Sequence, residues 1–337
     1  MPRSTAPWDR AVWAVAVIYL AGALTAAAVL WMLSDRWWVA TTLLFGPRWV
    51  LLVPLAGLVP AMVLKDRQLL ALLAVASLIL IGPVMGMRIG WRRLIVRPDP
   101  SRDITVASLN AMGGEALTKS TVELLHDWGA DIAAVQECGS DYARTLTGLL
   151  DWHTDTTSTV CLISRFPILD VIQMSNEGLR EAGGAGVVVT ALLDIDGARV
   201  FVTNIHLETP RAGLERIRAG QLISGASTLR GKSALREIEL RRARRWVDQF
   251  DGPHIVAGDF NTPAESPIYR AAWSDWQNGF SRVGRGFGGT RWNGWIRARI
   301  DHVLANTDWI PLRAWNGDNV GSDHVAMIAR LRLATKP

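Results

Sequence analysis

From Ala11 to Leu33 the chain runs for 23 residues without a charged side chain. At about 1.5 Å rise per residue, a helix of that length reaches roughly the 30 Å hydrocarbon thickness of a bilayer, so this segment is predicted to span a membrane. Two more apolar stretches follow. Leu69 to Met87 is also uncharged, and its Gly82, Pro83 and Gly86 are residues that membrane helices tolerate. Trp49 to Leu64, or Trp37 to Leu64 if Arg48 is accommodated, makes the third. Residues 1–97 are therefore expected to form an all-α anchor of about three transmembrane helices, at 11–33, 37 or 49–64, and 69–87. A cleaved signal peptide would account for Arg3, Arg10 and the first run, but not for the two behind it. Trp8, Trp13, Trp31, Trp37, Trp38, Trp49 and Trp91 gather near the span ends, as an interfacial aromatic belt does.

Charge divides the chain at the same place. Residues 1–97 hold ten of the 36 Lys and Arg against three acidic residues, leaving 26 basic and 28 acidic side chains in the remainder. The basic excess thus belongs to the anchor, and the rest lacks the positive surface that nucleic-acid binding usually brings, which disfavours such a partner. Two cysteines, Cys138 and Cys161, are too few for a disulfide framework, and pairing them or leaving them free fits the sequence equally. With three spans the termini lie on opposite sides. Arg3, Arg10, Lys65 and Arg67 then face Arg36, Arg48, Arg88, Arg92, Arg93 and Arg97, a count that puts the C-terminal domain in the cytoplasm.

Pro98-Asp99-Pro100-Ser101 blocks helix continuation, so residues 98–102 are expected to be a linker and 103–337 the second domain. Val- and Ile-rich runs predict strands at Ile104–Leu109, Ile132–Val135, Val160–Ile163, Val187–Leu193, Val200–Ile205, Ile255–Ala257 and Ile300–Leu304. Helical patterns at Thr118–Trp128 and Ser233–Phe250 lie between them, so the domain should be α/β or α+β. The second helix carries Arg236, Arg241, Arg242, Arg244 and Arg245, read as a solvated face.

Polar groups suited to a hard metal or to proton transfer stand at the ends of these strands. Asn110 ends the first, Glu137 follows the second, and Asn204 and His206 close a third. Gly258-Asp259-Phe260-Asn261, Arg299-Ile300-Asp301-His302 and Gly321-Ser322-Asp323-His324 come after them. Singly, each is an ordinary turn, cap or surface residue. In this order, across residues 103–333, the set resembles the endonuclease/exonuclease/phosphatase (DNase I-like) family.

That resemblance implies a four-layer sandwich of two mixed sheets flanked by helices, with a metal-assisted phosphoesterase site at one end. Mg²⁺, or Mn²⁺ in its place, suits such a site, because a hard cation takes oxygen ligands and one or two carboxylates. By resemblance, Glu137 and Asn110 hold the metal and Asp323 completes its shell, Asp259 orients or deprotonates water, and Asn261 positions water or phosphoryl oxygens. His324 faces the phosphate with Asp301 on its other ring nitrogen, and His206 donates to a phosphate oxygen. Asn204, Arg211 and Thr290, the last within Gly288-Gly289-Thr290, are the substrate-binding candidates. Met112 stands where DNA-repair members often carry an acidic residue, which weakens a repair-nuclease reading. His302 and Cys138 are expected to be packing residues.

Apolar spans ahead of this domain, with His206-Leu207-Glu208-Thr209-Pro210-Arg211, look like the membrane-bound bacterial branch that includes VanJ-type teicoplanin-resistance proteins. That likeness implies a multi-pass protein of the cell membrane with an extracytoplasmic catalytic domain, against the charge count. It also implies a lipid-linked phosphate or pyrophosphate of the cell envelope as substrate and membrane lipids as partners. A membrane-tethered nuclease, a phospholipid or sphingomyelin phosphodiesterase and a non-catalytic binding scaffold are the competing readings.

Overall fold

The structure is a computed structural model that describes residues 7–63, 67–91, 99, 103–294 and 296–334. Apart from Asp99, the expected linker lies outside them, as do Arg3, Lys65, Arg92, Arg93 and Arg97 of the charge count.

Helix α1 (Pro7–Leu33) carries the uncharged run, and Val17, Ile18 and Leu24 on it are exposed apolar side chains, while Trp31, also exposed, carries the Arg270 guanidinium on its ring. After it come α2 (Trp38–Phe45), a 3₁₀ turn (Arg48–Leu52), α3 (Val53–Val63), α4 (Arg67–Ile79) and a π turn (Leu80–Val84). Among the described residues α1 alone is long and apolar enough to cross a membrane, which corrects the expectation of about three spans. The second candidate is bent by 91° between Trp38–Phe45 and Arg48–Val59, and Gln68–Val84 is a shorter apolar helix. The bend has a local cause. Gly46 and Pro47 interrupt the helix, and Arg48 turns inward to donate to the Val84 carbonyl at 2.6 Å and to face Glu265 at 3.8 Å. Pro83 likewise disrupts the helix that starts at Arg67.

The rest of the chain runs β1 (Asp103–Asn110), α5 (Thr121–Trp128), β2 (Ile132–Gln136), α6 (Ser140–Leu146), β3 (His153–Thr157), β4 (Val160–Ser164), β5 (Ile168–Gln173), β6 (Val187–Ile195) and β7 (Ala198–His206). It continues through α7 (Arg211–Arg218), α8 (Leu222–Val247), β8 (His254–Asp259), α9 (Pro267–Trp273), β9 (Gln277–Asn278) and α10 (Gly279–Val283). The hairpin β10 (Arg291–Asn293) and β11 (Ile296–Ala298), then β12 (Asp301–Ala305), β13 (Trp309–Asn316) and β14 (Met327–Leu333), complete it. All seven strands read from the sequence are present. Helix α5 starts at Thr121 because Ser120 caps it: the Ser120 hydroxyl accepts from Glu123 N, and Glu123 reaches back to Ser120 N.

Two six-stranded sheets form, in the orders β13-β14-β1-β2-β4-β3 and β5-β6-β7-β8-β12-β9. Both are mixed, since β1 pairs parallel with β2 and β7 parallel with β8 while the other neighbours are antiparallel. Strand alternation sends Ile104, Val106, Ile132 and Ala134 of the first sheet and Val200, Val202, Ile255, Ala257 and Val303 of the second into one shared core. The opposite faces bury against helices, Leu109, Ala133 and Val135 under α5 and α6, and Val188, Ile205 and Val256 under α8 and α9. The layering is therefore helix, sheet, sheet, helix, as expected.

One pairing that the sequence left open is decided, and the reading of one residue is corrected. Cys138 and Cys161 are joined in a disulfide. Arg236, assigned to a solvated face, is fully buried and donates to Asp35 at 2.6 Å, whereas Arg241 and Arg245 are exposed. Helix α8 is amphipathic over only part of its length, and Asp35, just beyond α1, supplies the charge that draws Arg236 inward.

Candidate active site

The period of two that builds the inter-sheet core also builds the site. Asn110 continues the inward face of Ile104 and Val106, Asp259 that of Ile255 and Ala257, and Asp301 that of Val303 and Ala305. His206 continues Val200 and Val202. Register aligns three of them, because Asp259 lies opposite His206 on β7 and opposite Asp301 on β12. They gather at one end of the core, where the layer opens. Glu137 would point to the helix side of β2 by alternation, but its φ of +48° turns the chain at the strand end. Gly258 is required by close approach, since a Cβ there would overlap the Ile205 carbonyl oxygen.

The contacts are continuous from one sheet to the other. Asn110 Nδ2 donates to Glu137 Oε1 at 2.9 Å and to Asp259 Oδ2 at 3.2 Å. His206 Nε2 stands 3.7 Å from Glu137 Oε1. His324 Nε2 lies 3.8 Å from Asp259 Oδ2 and 3.7 Å from Asp323 Oδ1, and its Nδ1 bonds Asp301 Oδ2 at 2.8 Å. Asn261 N donates to Asp259 Oδ1 at 2.8 Å, and its amide donates to the Leu207 carbonyl at 2.8 Å. Glu137 and His324, 187 positions apart in sequence, are thus linked through Asn110 and Asp259.

Burial and charge set the protonation of this cluster. Burial alone would depress the His324 imidazole, but the charges of Asp301 and Asp259, the Asp301 hydrogen bond and Asp323 outweigh it and hold the group at about 9. Burial and then the charge of Asp301 push the Asp259 carboxyl above its ordinary range, with His324 and His206 pulling the other way. A cationic imidazole and a carboxyl group of raised basicity therefore face each other, the pairing that acid and base roles require.

The residues fit a hard divalent cation. Glu137 brings a carboxylate to the open end of the cluster, Asn110 stands beside it with its oxygen accepting from Met112 N at 3.1 Å, and buried Asp301 Oδ1 has no hydrogen-bond partner. Asp259, Asp301 and His324 also offer ligand atoms within 4.8 Å of one another. The bonded, protonated state of His324 makes it a poor ligand, which leaves Glu137 and Asn110 as the better holders.

Two sequence candidates, Asn204 and Thr290, lie behind the site, and two, Asp323 and Arg211, lie at its rim. Asn204 is buried between the sheets, its amide donating to the Val135 and Cys161 carbonyls at 3.1 and 2.9 Å and its oxygen accepting from Gln136 at 2.7 Å. It is one inward position short of His206, so it braces the sheets instead of meeting substrate. Thr290 is fully buried behind the site, its hydroxyl accepting from Ile300 N at 3.2 Å and Asp301 N at 3.1 Å. It positions Asp301. Asp323 bonds Arg291 at 2.7 Å, so that oxygen is already engaged. Arg211 is exposed at the mouth, bonded to Glu215 at 2.8 Å.

Three residues that sequence reasoning did not place at the site matter here. Ser322 donates to the Asn110 carbonyl at 2.7 Å and accepts from His324 N at 3.0 Å, tying the His324 loop to β1. Arg291 reaches the site through Asp323. Arg236 lies beneath the Asn261 loop, within 3.4 Å of the Asn261 carbonyl and the Thr262 hydroxyl. Ser322 stood inside a recognised motif; the other two had no sequence signal beyond their charge. His302, as expected, packs inside, against Asn278 and the Thr262 carbonyl.

The sequence profile of the Endonuclease/Exonuclease/phosphatase family matches residues 107–324. No curated protein matches the chain. Among solved structures, a humanized D. rerio TDP2 carrying 14 mutations superposes with a TM-score of 0.54 at 15% identity, covering 68% of this chain and 99% of that one. D. rerio TDP2 complexed with a single-strand DNA product gives the same values. Truncated Caenorhabditis elegans TDP2 follows at 0.51 and 15%, covering 68% and 98%. At these identities the likeness establishes the fold.

Proposed function

Because this chain belongs to the endonuclease/exonuclease/phosphatase family, we propose that it is a divalent-metal-dependent phosphoester hydrolase, held by residues 1–97 against the membrane that presents its substrate. The observation that carries the reading is the convergence of Glu137, Asn110, Asp259, Asp301 and His324 at one end of the inter-sheet layer. In this reading Glu137 and Asn110 hold the metal, Mg²⁺ or Mn²⁺, which when bound supplies Lewis-acid stabilisation of phosphoryl oxygens. Asp323 orients Arg291 and His324 from the rim.

The chain's own groups handle protons and orientation. Asp259, buried and of raised basicity, accepts a proton from the attacking water, which the Asn261 loop positions. His324, protonated and locked in one orientation by Asp301, donates toward the phosphoryl oxygens, and His206 donates from the opposite rim. A scaffold that had lost catalysis would not need this complete set.

The substrate class we favour is a lipid-linked phosphate or pyrophosphate. The exposed apolar face of α1 supports membrane attachment, and attachment confines the site to the surface where such headgroups lie. The Cys138–Cys161 disulfide supports an extracytoplasmic catalytic domain, because such bonds persist in oxidising compartments. His206-Leu207-Glu208-Thr209-Pro210-Arg211 remains the sequence basis for a VanJ-type, glycopeptide-resistance-like role. Single-stranded DNA is the second reading, favoured by the fold shared with D. rerio TDP2 in its product complex.

The full chain, assayed with Mg²⁺ on DNA, sphingomyelin, phosphoinositides and polyprenyl pyrophosphate, separates these. Cleavage of a phosphoryl lipid, with losses of roughly a hundredfold or more in Glu137→Ala and His324→Ala, supports the proposal. Cleavage of DNA alone, or full activity in either variant, contradicts it.

A further inference from the structure

A cavity of about 280 Å³ opens beside the cluster, and its walls come from both halves of the chain. Thr42, Phe45 and Pro47 of the bent segment line one side, and Leu214 and Ile217 of α7 line the other. The lining is mostly apolar. At the end nearest the cluster stand Asn261, Arg211 and Arg291, with Arg218 and Glu215 also on the wall, so the lining holds three guanidinium groups against one carboxylate. Arg291 reaches Asp323, and Arg211, bonded to Glu215 at 2.8 Å, also feels the charges of Asp323 and Glu137, so the cationic end adjoins the proposed catalytic groups.

We infer that this cavity binds the hydrocarbon chain of a phosphoryl lipid drawn from the bilayer, with the bent segment of the anchor as half of the substrate site. The inference rests on the hydrolase reading for the fate of the headgroup, but the chain-binding site stands on its own geometry. Charge complementarity selects the occupant: an apolar slot ending in arginines suits a ligand that is apolar along its length and anionic at one end. A single-stranded nucleic acid would instead need a row of stacking faces along a basic groove, and Phe45 is the one aromatic side chain on this wall. Continuity with the membrane points the same way, because the segment that lines the cavity follows directly on α1, whose apolar face is uncovered.

The bend between α2 and the 3₁₀ turn then acquires a purpose. The 91° turn falls between Phe45 and Arg48, at the residues that line the cavity. Arg48, bonded to the Val84 carbonyl and facing Glu265, fixes that turn from the protein side.

The test uses the full chain in phosphatidylcholine vesicles doped with phosphatidic acid bearing a photoactivatable diazirine in its acyl chain, with diazirine phosphatidylcholine as the comparison. The expected result is crosslinking to residues 42–47 and 211–218, stronger for phosphatidic acid by about tenfold, the scale of a charge-assisted hydrogen bond. Leu214→Trp and Thr42→Phe fill the cavity from opposite walls and lie outside the catalytic groups. Each should lower that crosslinking at least severalfold while leaving Mg²⁺-dependent hydrolysis of a short, water-soluble phosphoester unchanged. Crosslinks confined to the outer face of α1 overturn the inference, as does equal labelling by the two lipids. Specific crosslinks in a chain that hydrolyses no phosphoester would leave the chain-binding site intact and remove the hydrolase reading. Hydrolysis without them would do the reverse.

Discussion

Asp35 and Arg236 join the N-terminal helices to the catalytic domain through an ion pair at 2.6 Å, with both side chains fully buried. Converting Asp35 to Asn removes the charge while keeping a residue suited to the φ of +69° at this position, so backbone strain does not confound the result. Arg236 would retain Ser233 at 3.0 Å and two contacts at 3.4 Å, to the Asn261 carbonyl and the Thr262 hydroxyl, and its Nε already has no partner. A buried charge left in that state costs about 3–5 kcal/mol. Arg236→Met should cost a similar amount or less, because the isolated Asp35 can take up a proton. The double variant Asp35→Asn/Arg236→Met leaves no buried charge and should be several kcal/mol more stable than the two single losses would give if summed. Pulse proteolysis of the full chain in urea, in micelles, reads all three. The single variants should also lower turnover, since Arg236 supports the loop that carries Asn261. Single variants costing under about 1 kcal/mol, or losses that simply add, would refute the reasoning.

Three further outcomes are expected. Burial would raise the Glu265 carboxyl, but Arg299, Arg48 and Arg88 outweigh it and hold the group at about 2, below its unfolded value of about 4.3. The contribution, about 3 kcal/mol, is therefore present above pH about 4.3 and lost as pH falls toward 2; an acid unfolding curve of Glu265→Gln lacking that dependence checks it, and an unchanged curve contradicts it. Asp301→Asn should lower the His324 imidazole from about 9, because the charge that most offsets its burial is removed, as a histidine NMR titration of metal-free protein would record; an unmoved titration would contradict it. Cys138 and Cys161 should resist maleimide labelling until a reductant is added; ready labelling of freshly isolated protein would argue against the bridge and the oxidising compartment.

The chemistry of the site was more legible than its framing. Asn110 and Asp259 end a Val- or Ile-rich run and Asp301 begins one, so alternation carried the side chain from core to active site, and the sequence displays alternation directly. Two of the missed strands lack that pattern: β3 reads His-Thr-Asp-Thr-Thr and is half exposed, and β13 is interrupted by Pro311 and a register shift before Arg313. Asn204 has the right spacing but lies one step too deep, a distinction fixed by the facing sheet. The three-span expectation went astray because apolarity alone cannot tell a lipid-facing helix from one that bends back onto protein. Arg48 and Arg236 turn inward toward carboxylates, Glu265 and Asp35, that are distant in sequence. Such pairings depend on tertiary proximity, and no local pattern announces them.

The account stands on a single cation and a phosphorus atom sharing the groups around Glu137 and His324. Electron-nuclear double resonance on the full chain, loaded with Mn²⁺ and inorganic phosphate, measures that proximity directly. We expect one bound Mn²⁺ with a ³¹P coupling at contact range, lost in Glu137→Ala, with the phosphate signal weakened in His324→Ala while Mn²⁺ stays bound. Bound Mn²⁺ without phosphorus coupling, or a coupling untouched by Glu137→Ala, would contradict it.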